Sequence, residues 1–295
     1  MSINTIELLA AYWTIAGDTY PGAASEISPH SLQARAQAAA KAGWRGMGLV
    51  HADILHSVEK LGMPTVRNIF KDNGIKHLEV EFLIDWHLTC ERRTASDKTC
   101  MELLEAAGEL GARNVKVAGG LFDEEAPDIE AMREHFAVLC DKARPFGVNV
   151  VVEFLPFSSI NTIDRALALT QDVRPNGGIL IDTWHVARGG MGVDEIRKIP
   201  AHLIKSIELN DASREIVGTL FNDSTHYRKL CGEGELDVTG FIQNVVDAGY
   251  QGPWGVEVIS AELRKLPLEV AAKRAFDTTI AQFERIRFPE SLRLA

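Results

Sequence analysis

The chain predicts an α/β fold of the single (β/α)8 TIM barrel type, on three observations. Short apolar runs recur along the 295 residues, each followed by a segment of helical period. There are eight such pairs, the number that closes a parallel barrel. No G-x-G-x-x-G follows the first run, where a doubly wound dinucleotide fold, the runner-up, would carry it.

Taken in order, the β-branched and aliphatic runs predict strands near 6–12, 46–50, 77–83 and 114–118, then near 149–154, 178–182, 204–209 and 254–258. Between them the 3.6-residue period predicts helices near 29–42, 56–73, 95–111, 127–146, 160–173, 192–198, 238–248 and 267–287. Ser28 followed by Pro29 suits a helix N-cap and first turn, and Gly43, Gly74, Gly111 and Gly147 stand where left-handed C-caps belong. Asp237 can cap the helix containing Phe241, Val245 and Val246, which Gly249 can end. The longest irregular stretch, 212–236, holds His226, Arg228 and the run GEGELD. In a barrel it would lie on the C-terminal face, where such folds carry their chemistry. No low-complexity tract or linker interrupts the chain, so one domain is expected over 1–295.

A formal net charge of −10 argues against a nucleic-acid surface, which needs a basic stripe. Cys90, Cys100, Cys140 and Cys231 show no C-x-x-C spacing and are expected as free thiols of a reducing compartment. No basic leader precedes the first apolar run and no run reaches membrane-spanning length, so the expectation is a cytoplasmic enzyme.

Four segments of the second half each carry a carboxylate towards their C-terminal end: VNVVVEF (Glu153), GGILID (Asp182), LIKSIELND (Glu208) and PWGVEV (Glu257). Burying an unpaired carboxylate in such surroundings costs several kcal/mol or drives it to take up a proton. Four of them on successive strands suggest a shared divalent cation. Oxygen ligands alone suit Mg²⁺ or Mn²⁺, and an added imidazole would favour Zn²⁺ or Co²⁺. The bland alternative is that each pairs with a nearby Lys or Arg.

Other candidates surround this set. His185, three residues after Asp182 in IDTWH, could bind a substrate hydroxyl or shuttle a proton, or be a structural histidine. Arg228 could clamp a hydroxyl, carboxylate or phosphate. Lys116 faces into or out of the fourth strand according to register, and inward it could act as an electrophile. His51 and His87 follow the second and third strands at the rim. Trp13, Trp86, Trp184 and Trp254 lie near strand ends, where they could stack on a sugar or apolar ligand or cap the core. The glycines of AGG at 118–120 could cradle a phosphate or only turn the chain. There is no G-x-S-x-G elbow, Walker A loop or H-E-x-x-H motif.

The succession VVEFLP, LIDTWH, IELNDA, GEGELDVTGFI and GPWGVEV resembles the sugar phosphate isomerase/epimerase group with the xylose-isomerase-like TIM barrel, most specifically over 150–260. The resemblance implies a metal site at Glu153, Asp182 and Glu257, and functional roles for His185 and Arg228. The departure is Glu208, where many members carry His; an all-carboxylate site favours Mg²⁺ or Mn²⁺.

The expected activity is isomerisation or epimerisation of a polyhydroxy carbonyl compound through an enediolate. Glu153 and Glu257 would remove and return the proton, while His185, Arg228, Lys116 and Trp13 bind the substrate. Loss of a β-group from the same enediolate would make the enzyme a lyase. A metal-dependent endonuclease and a non-catalytic binding subunit are the alternatives from other classes. The expected partner is a carbohydrate-like small molecule, with a homo-oligomer open. An aromatic or apolar substituent is favoured over a phosphate, on the tryptophan-rich rim and the scarcity of a phosphate-binding loop, although Lys116 and the glycines at 119–120 could supply part of a phosphate site.

Overall fold

The computed structural model describes residues 6–122 and 128–288. Its eight strands are β1 (Leu8–Ala10), β2 (Gly46–Val50), β3 (His77–Leu83), β4 (Asn114–Ala118), β5 (Asn149–Glu153), β6 (Gly177–Asp182), β7 (Ile204–Leu209) and β8 (Trp254–Val256). They pair in parallel in sequence order, and β8 returns to β1 to close the barrel. All eight expected strands are present. The two that close the ring, β1 and β8, are shorter than their apolar runs.

The helices depart from expectation in three places. The predicted helix 56–73 is two, His51–Leu61 and Met63–Asp72, broken at Gly62 (φ 75). The first long helix begins at Leu32 and is capped by Ser31, whose Oγ accepts from the Ala34 N–H at 3.2 Å. Ser28 is used elsewhere: its Oγ donates to the Ala16 carbonyl and its N–H to Asp53. The stretch 212–236 is not wholly irregular, because Thr219 caps a helix over Leu220–His226.

Strand alternation sorts the side chains into two sets. Val115, Val117, Val150, Val152, Ile179, Ile181, Ile207 and Leu209 belong to the continuous apolar layer beneath the helices. Their neighbours point at the barrel axis, and most of these are polar: Glu79 and Glu81, Asn114 and Lys116, Glu153, Asp182, Ser206 and Glu208 are all buried. Barrels usually fill that axis with branched aliphatics. Here it is a column of hydrogen bonds. At its base Glu79 accepts from Asn114 Nδ2 (2.7 Å) and from Ser206 Oγ (2.9 Å). One step higher Lys116 Nζ donates to Glu81 Oε2 at 2.8 Å and to Glu208 Oε1. Gly255 lies opposite Glu208 in the register, and a Cβ there would stand 2.3 Å from the Ile207 carbonyl. Only a bare backbone fits beside Glu208 at that level. No helix among the described residues is long and apolar enough to cross a membrane.

Candidate metal centre and substrate pocket

The top of the column is where the strand-end carboxylates converge. Glu153, Asp182, Glu208 and Glu257 each offer an oxygen, and the four oxygens lie within 4.8 Å of one another. Register explains the meeting: Asp182 pairs with Glu208, Glu208 with Gly255, and Glu257 follows two residues on. His185 forms an overlapping trio with Glu153 and Asp182 within the same distance.

Each member is held from outside the cluster. Asp182 caps the short helix Thr183–Arg188, its Oδ1 accepting from the His185 N–H at 3.0 Å. Its Oδ2 accepts from Asn210 Nδ2 (2.8 Å) and Arg228 Nη1 (2.9 Å). The same Nη1 reaches Glu257 Oε2 at 3.1 Å, while Arg228 Nε and Nη2 donate to Ser224. His185 Nε2 lies 2.8 Å from Glu153 Oε1.

Electrostatics mark this as an unbalanced place. Glu81, Glu153, Asp182, Glu208 and Glu257 face two permanent cations, Lys116 and Arg228, and all are buried. Burial, with Glu81 and Glu153 nearby, pushes the Glu257 carboxyl up to about 8 against the pull of Arg228. Burial and Glu257 drive Glu208 well above the carboxylate range, and burial raises Glu81 despite Lys116. Burial works against the Lys116 charge, but Glu208 and Glu81 outweigh it and hold the ammonium on. Two carboxylate oxygens, Glu81 Oε1 and Glu208 Oε2, are buried without a hydrogen-bond partner. Excess negative charge, orphaned oxygens and four convergent carboxylates fit a divalent cation, and an oxygen-only set fits a hard one.

Above the cluster opens a pocket of about 430 Å³, within the usual range for small-molecule sites. Glu81, Glu153, His185, Arg228 and Glu257 line it, and so does Trp13. Asp182 and Glu208 sit beneath this floor. Lys116, expected at the substrate, does not line the pocket; register turns it inward and the carboxylates of β3 and β7 occupy it. Arg228 does line it, but its guanidinium is committed to two carboxylates and Ser224 rather than free for a phosphate.

The tryptophan-rich rim is corrected to a single tryptophan. Trp86 is buried with its indole N–H on the Ala118 carbonyl (2.6 Å), and Trp184 is buried with its own on Asp223 (2.8 Å). Trp254 opens β8 and packs on Tyr250 and Phe283 in the core. His51 reaches the pocket wall with Nε2 on Glu102 at 2.8 Å, and His87 is buried beside Trp86. The AGG turn is closed off by the loop after β5, since the Gly120 N–H donates to Ser159 Oγ at 2.9 Å.

Two features escaped the sequence reading. The apolar wall is phenylalanine: Phe82 on β3, Phe122 and Phe157 in the loops after β4 and β5, and Phe221 on the helix Leu220–His226 line the pocket, and no period links them. The second is Asp211, whose carboxylate accepts the N–H groups of Gly232, Gly234 and Leu236 at 2.9–3.0 Å. Its backbone pairs with Lys229, beside Arg228. The signal was present in GEGELD, whose glycines let the backbone close around a carboxylate: a Cβ on Gly234 would stand 2.2 Å from Asp211 Oδ1.

A sequence profile described as xylose isomerase-like TIM barrel matches residues 36–281. An inosose isomerase of Halalkalibacterium halodurans is 26% identical over 235 residues, 76% of this chain and 79% of its own. A 3-dehydroshikimate dehydratase of Pseudomonas aeruginosa is 25% identical over 246 residues, 82% of this chain but only 38% of that longer relative. The crystal structure of the IOLI protein with a bound zinc atom superposes with a TM-score of 0.84 at 18% identity, over 96% of this chain and 99% of that one.

Proposed function

The chain belongs to the xylose isomerase-like TIM barrel family, and on that premise we propose that it is a divalent-metal-dependent isomerase or epimerase of a polyhydroxy carbonyl compound. The observation that carries the proposal is the convergence of Glu153, Asp182, Glu208 and Glu257 at the base of the pocket. Relatives named as an isomerase and a dehydratase support an enzyme of this general kind.

Glu153, Asp182, Glu208 and Glu257 would hold Mn²⁺ or Mg²⁺, which when bound supplies Lewis-acid stabilisation of the substrate's oxygens. The chain's own residues do the rest. Glu153, held by His185, is placed to take the proton next to the carbonyl, whose electrons then pass to the carbonyl oxygen and give an enediolate. Glu257, across the cluster from Glu153, is the group that returns a proton. Arg228 locks the Asp182 and Glu257 carboxylates in one orientation. Return on the opposite face makes an epimer, and return on the neighbouring carbon makes an isomer.

A second reading, loss of a β-hydroxyl or β-aryl group from the same enediolate, draws support from the dehydratase relative and the apolar wall. One experiment addresses both. The purified protein is analysed for metals, stripped with a chelator, reloaded with Mn²⁺ and screened against ketoses, sugar phosphates and keto-glycosides with product mass recorded. A mass-neutral product is expected; loss of water or an aglycone selects the lyase, and full activity without metal sinks both.

A further inference from the structure

We propose that the outer half of the pocket is a receptor for a flat aryl group, so that the substrate is a neutral ketone with an aromatic substituent and no phosphate. The ketone end rests on the metal-site reading above; the aryl end does not.

Three phenylalanines build the receptor. Phe122 and Phe157 stack at 5.2 Å with planes 10° apart, and Phe221 meets both edge-on at 5.6 and 6.0 Å. They come from the loops after β4, β5 and β7, so the cluster is assembled by the fold. It is also stitched: the Phe122 N–H donates to the Phe157 carbonyl at 2.9 Å, and the Ser159 N–H to Gly120 at 2.8 Å. Phe122 nevertheless remains 60% exposed and adopts a φ of 58°, costly for a bulky residue. A strained backbone that holds a large apolar ring open to solvent gains nothing for the free fold, and such strain concentrates at ligand sites. An aryl group on that ring would offset the exposure and add the preference of aromatic pairs for stacked or edge contacts.

The polar side chains at that level already hold partners. His51 Nε2 is on Glu102, Glu26 accepts the Gly22 N–H, Thr225 Oγ1 donates to the Phe221 carbonyl, and Ser224 Oγ accepts from Arg228. A polyhydroxy ring placed there would set its hydroxyls against the faces of the phenylalanines, which offer them no partner. A phosphate fares worse among the described residues. Lys116 is sealed below the floor, Arg228 is paired with two carboxylates, and the Gly120 N–H is taken.

The test is calorimetric titration of the Mn²⁺-loaded full chain with phenyl 3-keto-β-glucoside, methyl 3-keto-β-glucoside, fructose and fructose 6-phosphate. The phenyl compound should bind about 10-fold or more tightly than the methyl one, and the phosphate should gain nothing over fructose. In Phe122→Ala, an exposed position that the core does not need, the phenyl advantage should vanish while methyl binding stays within about twofold. Equal affinities, a phenyl advantage that survives in both Phe122→Ala and Phe221→Ala, absence of phenyl binding, or a preference for the phosphate would each overturn the aryl receptor. Repeating the series after chelation separates the two readings. A phenyl advantage with the affinities of both ketones unchanged by chelation keeps the receptor and removes the metal-dependent reading, whereas metal-dependent binding with no phenyl advantage does the reverse.

Discussion

Lys116 on β4 reaches across the barrel axis to hydrogen-bond Glu208 on β7, and it donates to Glu81 on β3 at 2.8 Å as well. A carboxylate in the seventh-strand position, where the resemblance leads one to expect histidine, therefore comes with an internal counter-charge. The pair also explains how so acidic an axis can be buried at all: one ammonium serves two strands, and the guanidinium of Arg228 serves two more.

Removing that counter-charge should be expensive. Lys116→Met leaves Glu81 and Glu208 buried without a cation, and the expected loss is about 3 kcal/mol or more of unfolding free energy in urea melts. Adding Glu208→Gln should recover part of it, because the two side chains act as one unit. Strictly additive losses would show that the pair is not coupled.

The metal-free protein should lose stability as pH rises. Burial pushes the Glu257 carboxyl up to about 8 from an ordinary 4.5, and Glu81 and Glu208 are raised in the same sense. The folded state therefore holds more protons than the unfolded chain between those values, and stability present below about 4.5 is lost as pH climbs to about 8. A bound cation replaces those protons, so the stabilisation by Mn²⁺ should grow across the same window and reach about 3 kcal/mol at 100 times its dissociation constant. Thermal melts with and without EDTA from pH 5 to 8.5 measure this. A Mn²⁺ shift independent of pH would contradict it.

Glu208→His should move metal preference from Mn²⁺ or Mg²⁺ towards Zn²⁺ or Co²⁺, because an imidazole is a softer donor than a carboxylate. Competition binding followed by elemental analysis reads the change directly. Lys116 keeps Glu81 in this variant, which limits the loss of stability.

Glu153→Gln and Glu257→Gln should each lower turnover by about 10²-fold or more, the scale of a lost general acid or base. Solvent-deuterium exchange at the substrate carbon, measured with metal occupancy, separates this from a ligation defect: each variant should suppress exchange from one side only. Wild-type exchange in both would exclude the pair.

The barrel and its four strand-end carboxylates were legible because both signals are local. A β-branched run announces its strand, and a carboxylate closing it stands out against the apolar letters. Lys116 was not, since its direction depends on register, which one strand does not specify alone. Trp86 and Trp184 misled because an indole near a strand end reads alike whether its N–H meets a ligand or a buried acceptor, and here Ala118 and Asp223 are the acceptors. Phe122, Phe157 and Phe221 were invisible as a group, being brought together only by three loops.

The collar around Asp211 divides the segment after β7 into two mechanical parts. The carboxylate grips Gly232, Gly234 and Leu236, and the Asp211 backbone grips Lys229, so Arg228 is delivered from an anchored hairpin. Residues 213–219, mostly exposed, hang outside that anchor. Arg188 holds that stretch separately, through the carbonyls of Ser213 and Arg214, and none of it lines the pocket, so a change there should leave the guanidinium at its station over Asp182 and Glu257. The fold thus separates the part of the loop that nothing in the pocket depends on from the part that holds Arg228 still.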